Sequence, residues 1–379
     1  MHFDEALRYL LSLGHETLTI KLGLKNIKLL LAALANPQES YPAIQIAGTN
    51  GKGSTAVVLD SICQSARFKT GLFTSPHLLS ITERVRIGGQ VITPEAFARH
   101  ATEVRAAAQR LLDAGQITAL PSFFEQVTAI ALVAFRAAKV ELAILETGLG
   151  GRLDATSAAG ATLIAITPIG FDHEEYLGST LESIAAEKAA IIRPGSTAVI
   201  AAQLPQALAI IQEHCERVRV QPSVDECSAQ VESATADGRL SVTFETRKNR
   251  YEEIVLPLRG RHQVNNVALA IRLAESLRDR GFTLPYAAII AGIESANHPG
   301  RLELWDGKPN FLFDGAHNPA GAQAIRDYLD EFVKRPVTLV FGAMRDKNLE
   351  QMASLLFPRA GRLVLTTMEN PRAATVAAL

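Results

Sequence analysis

Residues 44–54 read Ile44-Gln45-Ile46-Ala47-Gly48-Thr49-Asn50-Gly51-Lys52-Gly53-Ser54, an apolar run entering a glycine-rich turn that carries one lysine and one hydroxyl. These residue types suit the handling of phosphate. Backbone N–H groups of such a turn and the N-terminus of a following helix face the anion, the lysine reaches the outer phosphates, and the hydroxyl binds magnesium. A helical pattern with Val57, Val58, Ile62 and Cys63 on one side supplies that helix. The common GxxxxGK[ST] spacing would need glycine at Ile46 and a hydroxyl at Gly53, so the match is to a narrower form. The alternative is a glycine turn that only caps a helix; the strand before it and the helix after it favour the cradle.

Four more polar residues stand where apolar runs end. Ser75 follows 69–74, Glu146 follows 140–145, His173 follows the run ending at Ile169, and Asp314 ends 311–313. In open α/β sheets ligands sit beyond the carboxyl ends of the strands, so the first three belong on the edge that carries the glycine turn. Each has a simpler reading: Ser75 as a turn residue before Pro76, Glu146 as a partner of Arg152, Asp172-His173 as a solvated loop pair. Lys188 falls on the apolar stripe of Leu181, Ile184, Ala185 and Ile191 rather than on the face with Glu182 and Glu187. An inward lysine is paired, neutral or modified, or else packs its stem and sends its head to water.

The elements that position these residues alternate. Strands are expected at 43–47, 69–73, 140–145, 162–168 and 197–201, and helices at 52–66, 94–113, 123–138, 180–192 and 204–217, after two helical patterns at 3–13 and 26–34. That order predicts an α/β fold with a parallel sheet covered on both faces. From 229 to 258 apolar residues punctuate polar ones around Asp237-Gly238, which predicts an antiparallel hairpin unit. Helices follow at 262–279 and 285–295. A boundary near 297–300 gives two domains, 1–296 and 297–379, the second a smaller α/β unit with strands at 302–305, 310–314, 337–341 and 362–366. Ser122-Phe123-Phe124-Glu125 is a capping box before an apolar helix.

The sequence Gly48–Ser54, Ser75-Pro76-His77-Leu78, Glu146–Asp154, Asp172-His173, Glu187-Lys188-Ala189, Pro299-Gly300-Arg301 and Asp314-Gly315-Ala316-His317-Asn318 resembles, in order and over nearly the whole chain, the folylpolyglutamate synthase and dihydrofolate synthase family, a branch of the Mur ligases. That resemblance implies a P-loop ATPase domain of the Mur central type and a Rossmann-like second domain. It implies ATP held by Gly48, Thr49, Asn50, Gly51, Lys52, Gly53 and Ser54 together with Asn266, Arg301, Asp314 and His317. It implies Mg2+ on Ser54, Ser75, Glu146 and His173, catalytic roles for Lys52, His173 and a carbamylated Lys188, and a pterin pocket built from Phe123, Phe124, Glu125, Arg152 and Asp154. Leu22-Gly23-Leu24-Lys25 matches a substrate-side loop. The small-molecule substrates implied are dihydropteroate, reduced folates and L-glutamate, joined through an acyl phosphate by a monomer. The simpler readings are Arg301 as a partner for Glu303 and Asp314 as a cap for Ala316-His317; the joint presence of Pro-Gly-Arg and Asp-x-Ala-His-Asn ranks the nucleotide roles above them.

Composition excludes other classes. A formal net charge of −1 on 379 residues offers no broad field for nucleic acid or an anionic membrane, and 47% hydrophobic residues supply a large core. Cys63, Cys215 and Cys227 are too scattered for disulfides or zinc. The N-terminus lacks the pattern of a signal peptide, so a cytoplasmic enzyme is expected. A peptidoglycan Mur ligase would carry a UDP-binding domain before the P-loop, for which 1–47 is too short. A P-loop kinase leaves the second domain unexplained. Residues 373–379 read as the start of a helix, and the resemblance implies a longer second domain than 297–379.

Overall fold

The computed structural model describes residues 1–14 and 23–379. Eight strands form the main sheet: β1 Ala43–Ala47, β2 Thr70–Phe73, β3 Val85–Ile87, β4 Gln90–Val91, β5 Leu142–Glu146, β6 Leu163–Ile166, β7 Thr197–Ile200 and β8 Ser223–Val224. They lie in the order β4-β3-β2-β5-β1-β6-β7-β8. Pairing is parallel from β2 to β8, while β3 and β4 add an antiparallel edge. Every residue of β1, β2, β5 and β6 is buried, which is why these strands read as continuous apolar runs rather than alternating ones.

Both faces of the sheet are covered. One core gathers Leu10, Leu30, Phe97, Val104, Ile130, Phe135, Ile184 and Ile211 from helices Phe3–Ser12, Lys25–Ala33, Pro94–Asp113, Phe123–Ala138, Leu181–Ala189 and Pro205–Val218. The other gathers Val58, Ile62, Leu273 and Ile289 from helices Lys52–Ser65, His262–Asp279 and Tyr286–Ser295. The antiparallel unit adds Val242, Phe244, Tyr251 and Ile254 to this second core. That unit has three strands, β9 Cys227–Ala234, β10 Leu240–Thr246 and β11 Arg250–Val255, with Gly238 at φ +80° in the expected turn.

Beyond Ala296 the core is smaller. Strands β12 Glu303–Trp305 and β13 Phe311–Phe313 pair antiparallel as a separate hairpin, while β14 Val337–Phe341 and β15 Ala360–Leu365 pair parallel. Helices Pro319–Phe332 and Leu349–Leu356, which the sequence reading did not mark, pack Ala322 and Met352 against Phe341. Local chemistry sets the element ends. Thr180 and Ser183 cap Leu181–Ala189, and the helix stops short of 192 because Pro194 follows. β6 stops at Ile166 because Pro168 leaves the sheet and offers its carbonyl to Thr49 and Asn50. Within 373–379, Ala373 bridges antiparallel to Met344 and residues 376–378 form a turn, so no helix starts there. Among the described residues no helix is long and apolar enough to cross a membrane.

Candidate active site

The glycine turn sits where β1 delivers it. Gly48 adopts φ +145°, and a Cβ there would fall on the Thr167 side chain. The backbone N–H groups of Thr49 and Asn50 donate to Pro168 O at 3.0 and 3.3 Å, and Thr49 Oγ1 bonds Gly170. Gly51 caps the helix at φ +87°, where a Cβ would overlap Asn266 Oδ1; only glycine allows that approach. Lys52 Nζ bends back onto its own loop, donating to Gly48 O at 3.2 Å and Thr49 O at 3.0 Å. Desolvation lowers its pKa, and the nearby charges of Glu146 and Asp172 oppose that shift. Among the described residues no carboxylate is in direct contact with this Nζ.

Glu146, the last residue of β5, is 5% exposed, and its Oε2 accepts the backbone N–H of Ser75 at 3.0 Å. Burial raises its pKa, while Lys52 and the Ser75 N–H act the other way. It does not pair with Arg152, which reaches Glu187 at 3.3 Å instead. Ser54 is buried and its Oγ lies 3.2 Å from His298 Nδ1. His173 holds φ +53°, and its buried Nδ1 has no hydrogen-bond partner. Burial lowers its pKa to about 4 against the pull of Asp172, so the ring is neutral and fit to ligate. Among the described residues no three His, Cys, Asp or Glu side chains group into a metal centre. The Glu146 carboxylate and the Ser54 hydroxyl are oxygen donors of the kind that suits an ion keeping waters and phosphate oxygens, while the orphaned His173 nitrogen is a less usual partner for such an ion.

Lys188 points inward, as its place on the apolar stripe predicts. It is 5% exposed and its Nζ donates to Gly48 O at 2.7 Å. Desolvation, with Lys52 close by, lowers its pKa to about 7. The alternative of a head in water does not hold.

His317, Asn318 and Lys347 reach this edge through Asp172. Its Oδ1 accepts from Lys347 Nζ at 2.6 Å and from His173 N at 2.9 Å; its Oδ2 accepts from Asn318 Nδ2 at 3.2 Å and lies 3.4 Å from His317 Nε2. The Asn318 amide also reaches Asn50 Oδ1 at 3.0 Å, while its oxygen caps helix Pro319–Phe332. Burial raises the Asp172 pKa, but His317, His173 and Lys347 outweigh it and hold the carboxyl well below the usual range. Asp172→Asn is therefore expected to cost about 3 kcal/mol at neutral pH, since it leaves the Lys347 cation without its buried partner. A carboxylate with a depressed folded pKa stabilises above its unfolded value, so the gap between wild type and variant is full above about pH 4 and shrinks below it. Denaturant unfolding of both proteins at pH 7.5 and across pH 4 to 3 checks both parts.

Asp314 takes the capping role: its Oδ1 accepts Ala316 N at 2.7 Å and its Oδ2 accepts Leu302 N at 2.8 Å. Glu303 accepts from Gly300 N and Trp305 Nε1 rather than pairing with Arg301. Arg301 stands beside Gly315 and its charge reaches Lys52, Glu146 and His298, so it faces the cradle. Asn266, 4% exposed, donates to Gln263 at 2.8 Å beneath Gly51.

The expected pterin wall is more occupied than the sequence suggests. The Ser122–Glu125 capping box forms, with Ser122 N donating to Glu125 at 2.7 Å. Phe123 is 5% exposed under the Arg84 guanidinium, whose carbon lies 5.5 Å from the ring centroid. Phe124 packs on Phe73 and against Gly148 and keeps partial exposure. Asp154 departs most from expectation: one oxygen accepts Gly148 N and Leu149 N at 3.0 Å, the other Thr156 N and Oγ1. It closes the 148–156 loop and has little left for a ligand. Of the segment 22–25, Leu22 lies outside the described residues; Leu24 precedes helix Lys25–Ala33.

Sequence reasoning missed His298, Lys347, Asn318 and Arg84 as site residues, and gave Asp172 no role of its own. Asp172 and Asn318 sat inside motifs it quoted. Lys347 lies in an ordinary turn 175 residues from its partner, and only the fold brings the two together.

The Mur ligase middle domain matches residues 46–274, and the Mur ligase glutamate ligase domain matches 300–379. A dihydrofolate synthase/folylpolyglutamate synthase of Mycobacterium tuberculosis is 37% identical over 374 residues, covering 94% of this chain and 76% of its own. A folylpolyglutamate synthase structure from the same organism, complexed with ADP, superposes with a TM-score of 0.91 at 33% identity, covering 99% of this chain and 84% of that one. An Escherichia coli structure in complex with DHPP and ADP gives 0.87 at 32% identity, covering 100% and 86%.

Proposed function

Because the chain belongs to the dihydrofolate synthase/folylpolyglutamate synthase family of Mur ligases, we propose that its cradle binds ATP and drives amide ligation of L-glutamate to dihydropteroate, to the γ-carboxyl of reduced folates, or to both. The observation that carries the reading is the juxtaposition of Lys52, Glu146, His173 and the second unit's Arg301 around one glycine turn at the carboxyl edge of the sheet. A carboxylate does not acylate an amine in water because its leaving group is poor. Transfer of the γ-phosphoryl group to the carboxylate makes an acyl phosphate; the glutamate amine attacks its carbon, and phosphate leaves. The protein's share is positioning and charge.

In this reading Lys52 turns from the loop carbonyls to the outer phosphates. Glu146, His173 and Ser54 would hold Mg2+, which would offset phosphate charge, and Ser75 would contribute through its backbone hold on Glu146. Arg301, Asn266 and the hub of Asp172, His317 and Asn318 bring the two units, 1–296 and 297–379, onto the nucleotide. Lys188 carries a carbamate: its neutral amine adds to CO2, an N–C bond forms, and a proton leaves to solvent. A pKa near 7 keeps amine available for that step. Phe124 offers the pterin its exposed ring, with Phe123, Glu125, Arg152 and Asp154 shaping the wall behind it. The enzyme acts as a cytoplasmic monomer. A monofunctional folylpolyglutamate synthase is the second reading, since nothing in the pocket separates the two acceptors. ADP release measured with dihydropteroate and with a reduced folate, each with and without L-glutamate, tests it. Glutamate-dependent release with a pterin acceptor is expected. Release only with a UDP-linked peptide precursor would replace the folate reading with a peptidoglycan one.

A further inference from the structure

Besides the shorter spacing of its first two glycines, the cradle differs from the common P-loop in having Gly53 between Lys52 and the hydroxyl of Ser54. The structure gives that insertion a purpose. A Cβ on Gly53 would stand 2.9 Å from His298 Cε1 and 3.3 Å from Glu146 Oε2. The missing side chain leaves room for an imidazole that comes from the segment joining the two units, immediately before Pro299-Gly300-Arg301. Its Nδ1 reaches Ser54 Oγ at 3.2 Å.

A hydroxyl that ligates a cation through an oxygen lone pair must send its proton elsewhere. A neutral imidazole protonated at Nε2 presents Nδ1 as an acceptor for that proton. We propose that His298 is a positioning residue for the metal site: it accepts the Ser54 hydroxyl proton and aims the oxygen lone pairs at the ion, coupling the hinge between the two units to the cradle. This rests on the reading of Ser54 as a Mg2+ ligand. Groups just outside a ligand shell commonly change metal affinity ten- to a hundredfold when removed.

The test measures Mn2+ binding to the protein–ADP complex by electron paramagnetic resonance in wild type, Ser54→Ala, His298→Phe and His298→Asn, with ADP affinity in EDTA as the control. His298→Phe keeps a ring but has no acceptor, and Mn2+ affinity should fall by about ten- to a hundredfold. In His298→Asn the amide oxygen takes the place of Nδ1 and should restore most of the loss. ADP affinity in EDTA should match wild type in the two His298 variants. Wild-type Mn2+ affinity in His298→Phe alongside a loss in Ser54→Ala overturns the role of His298 alone. Equal loss in the Phe and Asn variants, or a matching loss of ADP affinity in EDTA, also overturns it. Unchanged Mn2+ affinity in Ser54→Ala removes the metal role of Ser54 itself.

Discussion

Lys52→Ala should lose turnover by a factor on the order of 10³ while its thermal unfolding midpoint stays close to wild type. The two halves of this expectation have one cause. Among the described residues Lys52 Nζ is held by the Gly48 and Thr49 carbonyls of its own turn alone, and desolvation already disfavours its charge. Removing it costs the folded state little. The γ-phosphoryl group, by contrast, gathers negative charge in transfer, and within the turn Lys52 is the cation at that spacing. Steady-state kinetics of ATP-dependent ligation paired with calorimetric unfolding checks both halves. A variant that is active, or one that is inactive because it has unfolded, contradicts the assignment.

Lys188→Ala should fall by about 10²-fold or more in kcat, and short carboxylates such as acetate should restore part of it. Lys188 is buried, is held to Gly48 O at 2.7 Å, and has no carboxylate partner among the described ion pairs. A bare ammonium there would stand close to Lys52, and their mutual repulsion helps bring the pKa to about 7. A carbamate reverses the sign of the group and keeps one N–H for Gly48 O. Wild-type protein in buffer stripped of CO2 should lose activity, regain it with bicarbonate, and show a protein-bound carbamate carbon by 13C NMR when the bicarbonate is labelled. Full activity without CO2 and no such resonance would refute the modification.

The main sheet was legible because its strands are buried on both faces, so their sequence is a plain apolar run, and because proline, glycine and capping residues mark their ends. The inward turn of Lys188 was legible for the same reason, through helical spacing. The hairpin β12–β13 was not separable from the parallel pair β14–β15, since short strands carry no trace of their partners. Site roles split along a physical line. The position of Glu146 at the end of β5, on the edge that carries the glycine turn, was legible because topology fixes where strand ends point, and His173 follows β6 by a short loop to the same edge. The loop-closing bonds of Asp154 were not legible, because a buried acid looks alike in sequence whether it faces a ligand or closes its own loop. Asp172 with Lys347 and Ser54 with His298 are contacts over long sequence separations, set by packing between the two units, which no local pattern encodes.

The most direct measurement follows oxygen. Dihydropteroate labelled with 18O in its carboxylate is turned over with ATP and L-glutamate, and the released phosphate and the product are weighed by mass spectrometry. An acyl phosphate passes one labelled oxygen from the carboxylate to phosphate with each amide formed, and the product keeps the other. Phosphate carrying one 18O per turnover, strictly dependent on glutamate for net amide product, is the result expected. Amide product accompanied by unlabelled phosphate would contradict the acyl phosphate, and ADP release that ignores both dihydropteroate and reduced folate would contradict the ligase.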